Sequence, residues 1–202
     1  MRRTCWLIPA LLGACGSTPA PAPSGLDTGG AAISIQIVPP RATDRHYATA
    51  IVFAKLGEDG DATRATEYVT AEVSRSNVVY ALDLAPGRYA PVVAKDSRKG
   101  QHHTTFLPAD LIRSSVIEVV PGAVTSLGRA SVRILPFTNS PDEAQVFYQR
   151  RLGPNWGRAS VAQRLFLSKL YHNGKKPRHA KDDEVVRENV RKYVEPSGWT
   201  VR

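Results

Sequence analysis

Short apolar runs of period two, separated by Pro-Gly and acidic turns, fill residues 31–135 and set the fold class. Ile33, Ile35 and Ile37 alternate with small or polar neighbours and stop at Pro39-Pro40. Successive strand side chains point to opposite faces, so this pattern predicts a strand with one buried face. His46 to Leu56 is apolar on both faces over Ala50–Ala54, which predicts a central strand, and Glu58-Asp59-Gly60-Asp61 breaks it as a turn. Val69, Ala71 and Val73 alternate with Tyr68, Thr70 and Glu72; Val78, Tyr80, Leu82 and Leu84 alternate with Val79, Ala81 and Asp83. Pro86-Gly87 turns the chain, Tyr89 to Ala94 returns, and Val116 to Val120 ends at Pro121-Gly122. Val132 and Ile134 close the series. About seven strands between turn signals predict a mainly β protein, an antiparallel β-sandwich.

The period changes after residue 135. In Ser140-Pro141-Asp142-Glu143, Ser suits the cap, Pro the first turn and Glu the capping-box position of a helix reaching Leu152. Gly153-Pro154 stops it. A second helix is expected over 160–171, with Val161, Leu165 and Leu170 near one face, and a third over 182–194 on Val186, Val190 and Tyr193, ended by Pro196. Three short helices cannot bury their apolar faces alone. Residues 136–202 are therefore expected as a small helical segment packed on the sandwich, with Trp156 and Trp199 as packing anchors.

Charge is uneven. The formal net charge is +9, and residues 136–202 carry 13 Lys/Arg against 7 Asp/Glu, whereas 31–135 carry 12 against 10. Such a bias favours anionic partners: lipid head groups, acidic envelope polymers or nucleic acid. Lys175, Lys176, Arg178 and Lys181 form the best anion-binding candidate. No aromatic residues interleave with these cations, so nucleic acid is not expected.

The only cysteines, Cys5 and Cys15, lie at the start of the chain. That excludes a disulfide framework and a structural zinc site built on thiolates. Arg2 and Arg3 precede an apolar run from Cys5 to Leu12, too short to span a bilayer. Leu12-Gly13-Ala14-Cys15 then resembles the lipobox of bacterial lipoproteins. The resemblance implies that residues 1–14 are a signal peptide, cut before Cys15, and that Cys15 receives a diacylglycerol on its thiol and a third acyl chain on its new amine. The thiol is the nucleophile suited to thioether formation. Each buried CH₂ adds about 0.8 kcal/mol, so two or three chains hold stably where one does not. Gly16 stands where enteric relatives with inner-membrane retention have aspartate, which points to the outer membrane rather than the inner. An ordinary secretory signal cut near Ala20 or Ala22 is the other reading. Residues 15–30 would be the lipidated cysteine and a Pro/Gly-rich tether, with 31–135 the sandwich.

Two turns sharpen the sandwich. The run from Leu82 through Pro86-Gly87 to Tyr89 resembles a hairpin of transthyretin-like and carboxypeptidase-regulatory-like β-sandwiches, and Ile117 to Val124 resembles their later strand-turn-strand. Pro sets φ, Gly allows positive φ, and the following aromatic re-enters the core. The resemblance implies a fold and carries no activity.

Candidate chemistry is sparse. His102 and His103 are adjacent, so on an extended chain they face opposite ways and cannot chelate together. His172 and His179 flank the basic run as solvated loop residues. Asp59-Gly60-Asp61 lacks the ligand spacing and closing glutamate of a calcium loop. The sequence shows no nucleophile elbow, Walker loop or zinc-protease helix. The expectation is a non-catalytic, membrane-anchored envelope lipoprotein without cofactor or metal. It would be held to a bilayer by acylated Cys15 and would bind a protein partner or an anionic envelope polymer. A structural subunit of a secretion or envelope complex is an alternative. So is an enzyme with a dispersed site gathering His46, His102 or His103 with carboxylates.

Overall fold

A computed structural model describes residues 23–38, 46–98, 101–134, 141–152, 173–175 and 180–202. The protein is mainly β: two sheets face each other, and a small C-terminal helix follows. The larger sheet has seven strands, in the order β11-β10-β1-β6-β5, with β2 on β1 and β12 on β10. These are β1 (Gly29–Val38), β2 (His46–Tyr47), β5 (Val73–Arg75), β6 (Val78–Leu84), β10 (Ala123–Ile134), β11 (Asn173–Lys175) and β12 (Thr200–Val201). The smaller sheet runs β4-β3-β7-β8, with β9 on β7. Its strands are β3 (Ala50–Leu56), β4 (Glu67–Ala71), β7 (Gly87–Arg98), β8 (Gln101–Phe106) and β9 (Ile117–Val119).

The interior between the sheets is built by the predicted alternation. Ile33, Ile35 and Ile37 of β1 meet Ile51 and Phe53 of β3 and Val92 of β7, all fully buried. Among the described residues, three α-helices complete the body: α1 (Ala109–Ser114), α2 (Glu143–Leu152) and α3 (Ala180–Val194). Leu111 and Ile112 of α1, and Ala144 and Tyr148 of α2, extend the same core. The Tyr148 hydroxyl donates to the Ala62 carbonyl, in a 3-10 turn whose cap is Asp61.

Several expectations change in detail. The run from His46 to Leu56 is split: its first two residues pair with β1, and the remainder from Ala50 joins the other sheet. Val69 to Val73 likewise crosses from β4 to β5 at Glu72. The two Pro-Gly turns are not hairpins, because β6 and β7, and β9 and β10, lie in different sheets. Tyr89 does re-enter the core, and its hydroxyl donates to the Ala85 carbonyl at 3.0 Å. Two neighbouring pairs are parallel, β12 with β10 and, centrally, β1 with β10. Parallel neighbours need a long crossover, and everything from β2 to β9 supplies it between β1 and β10. β1 is buried on both faces rather than one: Ser34 and Gln36 are buried as well as the isoleucines with which they alternate.

The helix start is also rearranged. Asp142 and Gln145, rather than Glu143, form a capping box: the Asp142 carboxylate accepts the Gln145 N–H at 2.9 Å, and the Gln145 side-chain oxygen accepts the Asp142 N–H at 3.0 Å. Ser140 lies outside the described residues, as do Trp156 and the helix expected over 160–171. The folded body begins before Ala31. Ser24 N–H donates to Asp83 at 2.8 Å, and the Trp199 indole donates to the Gly25 carbonyl at 2.9 Å. Trp199 is a packing anchor, as expected, and it fixes the last residues that composition had assigned to the tether.

Candidate binding surface

The leader residues Leu12, Gly13, Ala14 and Cys15 lie outside the described residues. So do Lys176 and Arg178; Lys175 pairs with Val132 along an edge of the larger sheet, and Lys181 sits in the first turn of α3. From Ala180 to the C-terminus the chain has Lys181, Arg187, Arg191, Lys192 and Arg202 against Asp182, Asp183, Glu184, Glu188 and Glu195, so this helical end is neutral. The basic excess of the C-terminal third belongs to residues 150–181, which have nine Lys/Arg and no Asp/Glu. The histidines do not converge by strand placement: His46 is in the larger sheet, while His102 and His103 lie in β8 of the smaller, opposite Ser97 and Asp96. Among the described residues no three His, Cys, Asp or Glu side chains are grouped to hold a metal ion. No helix there is long and apolar enough to cross a membrane.

Polar chemistry gathers instead on the outer face of the larger sheet, around α3. At the helix start, β10 bulges: its register against β1 shifts between Ala32 and Ser34, and Gly128 takes φ +69°. A Cβ on Gly128 would lie 2.0 Å from Asp183 Oδ1, so both the backbone angle and the space demand glycine. Asp183 accepts the Arg129 N–H at 2.8 Å, which satisfies a backbone donor at the bulge and fastens the helix. Beside it, Gln36 accepts from the Ser131 hydroxyl at 3.2 Å and donates to Tyr47 at 3.5 Å, and the Arg129 guanidinium lies 5.6 Å from the Tyr47 ring centre. This network helps explain why polar Gln36 can be buried.

Along its middle, α3 lays Val186, Val190 and Val194 on Ala32, Val78, Tyr80 and Val124. At its last turn, Tyr193 meets the two-residue turn between β5 and β6. Ser76 and Asn77 have φ +52° and +62°, suited to a tight hairpin turn. The Tyr193 and Ser76 hydroxyls are 3.4 Å apart and share a hydrogen bond. The Arg75 guanidinium stands 4.5 Å over the Tyr193 ring, and the Lys192 ammonium is 5.9 Å from its centre. The Ser76 hydroxyl, reinforced by these cations, holds the Tyr193 phenol below its ordinary pKa. Tyr80, one layer down, is shifted the other way by burial. Its hydroxyl has no hydrogen-bond partner among the described residues. An orphaned buried donor costs about 1–3 kcal/mol.

Sequence reading does not find this cluster, because Arg75 and Tyr193 are joined only by the docking of α3 against the β5–β6 turn. No local motif marks either residue. No protein-family model, no curated protein and no solved structure matches this chain.

Proposed function

We propose that this chain is a non-catalytic lipoprotein of the bacterial envelope, anchored through acylated Cys15 and binding a protein partner or anionic polymer with its β-sandwich body. The observation that carries the reading is the order of features at the N-terminus: basic Arg2-Arg3, a short apolar run, then Leu12-Gly13-Ala14-Cys15. Where the body begins adds support. Ser24 is hydrogen-bonded to Asp83, so a tether from Cys15 would span no more than residues 16–23, shorter than composition suggests. In extended polyproline geometry, about 3.1 Å per residue, that stretch reaches about 25 Å. The body would therefore work close to the lipid surface, on the outer rather than the inner membrane if Gly16 acts as it does in enteric lipoproteins.

Metabolic labelling with a radioactive fatty acid tests the anchor. The native chain is expected to take up label, and Cys15→Ala to lose it completely. A Cys15→Ala chain still labelled to the native level overturns the reading.

A further inference from the structure

We infer that β4 is a strand-addition site for an extended basic segment of a partner protein. The backbone of that segment pairs with β4, and its lysine or arginine enters the groove between residues 69–73 and 80–83. This deepens the protein-partner reading above and rests on it for the biological source of the segment.

β4 pairs with β3 alone and stands at the end of the smaller sheet. In an antiparallel ladder, alternate residues point their N–H and C=O groups away from the partner strand. β4 therefore presents a row of backbone donors and acceptors that no other described strand meets. The opposite end of the sheet is treated differently. There α2 lies against β8, and the Gln145 side-chain N–H donates to the Phe106 carbonyl at 3.0 Å. Sheet edges are commonly blunted by proline, lysine or a bulge. Residues 66–74 contain no proline, lysine, arginine or glycine, and β4 keeps one register along β3.

The charge of the partner follows from the groove beside this edge. It measures about 250 Å³ where residues 69–73 pass 80–83. Val69, Ala71, Val73 and Leu82 line it together with the exposed carboxylates of Glu72 and Asp83. Glu67 is matched by Lys55 at 3.1 Å, whereas Glu72 has no ion pair among the described residues. Apolar walls with carboxylates suit a lysine or arginine, whose stem is apolar and whose head is cationic. A second copy of residues 66–74 would bring two more carboxylates and no cation, so charge favours a basic partner over self-pairing. In strand addition, main-chain pairing supplies affinity and a side-chain pocket supplies specificity.

The probe is a short synthetic peptide alternating valine and lysine, titrated into the full-length Cys15→Ala chain and followed by amide NMR. Shifts centred on residues 67–73 and 80–83 are expected. Glu72→Lys should weaken binding about tenfold, since an attraction becomes a repulsion. Glu72 is exposed, so its replacement leaves the fold intact. Glu118→Lys, at an exposed carboxylate on β9 separated from β4 by β7 and β3, should leave binding unchanged. Two N-methylated forms of the peptide test the pairing itself, one methylated at every lysine and the other at every valine. Only alternate N–H groups of an added strand face β4, so one form should bind and the other should not. The proposal falls if the peptide leaves residues 67–73 unmoved, if both methylated forms bind like the parent peptide, or if Glu72→Lys binds as tightly as Glu72. It also falls, in favour of a second copy, if the same shifts appear when the chain is concentrated without peptide. The anchor plays no part in this experiment, so its outcome and that of the labelling are independent.

Discussion

The two faces of the larger sheet are buried by different means. Its inner face meets another sheet, with 31 buried residues in that cluster among those described; its outer face meets α3, with eight. The inner face is aliphatic and aromatic side chains at period two. The outer face mixes valines with Ser34, Gln36 and the Tyr80 hydroxyl, and it is fastened by Asp183 at one end of the helix and Trp199 beyond the other. The contrast teaches that the sandwich interior holds most of the buried apolar side chains, while the helix layer is smaller and carries more of the polar contacts.

The sharpest way to break the comparison is at the interior. Phe53→Ala should cost about 3–5 kcal/mol in urea denaturation, because Phe53 is fully buried and the rigid sheets cannot close the cavity. A loss below 1 kcal/mol would mean that the interior is not the main source of stability. The next effect is smaller and local. Asp183→Ala leaves the Arg129 N–H without its partner, at a cost of about 1–3 kcal/mol. Hydrogen exchange should then speed up along α3 while the β3 and β7 amides keep their protection. Equal loss in both regions would show that the two layers unfold as one unit.

The smallest effect is at the rim of the interior. Asp61 accepts the Thr63 N–H at 2.9 Å and its hydroxyl at 2.7 Å, and these bonds hold its carboxyl below the usual range. A carboxyl depressed by folding stabilises the protein above its unfolded pKa, and that contribution is lost as the pH falls through the folded value. Between about pH 5 and pH 2 the native protein should therefore lose slightly more stability than Asp61→Ala. Identical acid profiles would remove Asp61 from the account.

Much of the sandwich is legible in the sequence, because alternation is a local consequence of strand geometry. Pairing is less so. Ala48-Thr49, Glu72, Ala85-Pro86 and Val120 to Gly122 each carry the chain from one sheet to the other, yet each reads as a continued strand or an ordinary turn. A crossing and a hairpin use the same Pro, Gly and acidic residues; which one forms depends on what lies across the core. Val186 and Val190 of α3 are readable as a buried face, since helical spacing marks them, whereas the spacing put Tyr193 on that face where the structure buries Val194. The contact between Arg75 and Tyr193 is not, because no spacing rule connects a β-turn to a helix end so far along the chain.

By itself, then, the sequence determined the class of elements, the inward positions of β1, and the features from Arg2 to Cys15 on which the anchor is proposed. Only the tertiary structure decided that β1 and β10 run parallel, that Gly128 yields to Asp183, and that Ser34 and Gln36 are buried. The reason is physical: periodicity is set by neighbours along the chain, whereas burial of the second face and the meeting of distant charges depend on which element docks there.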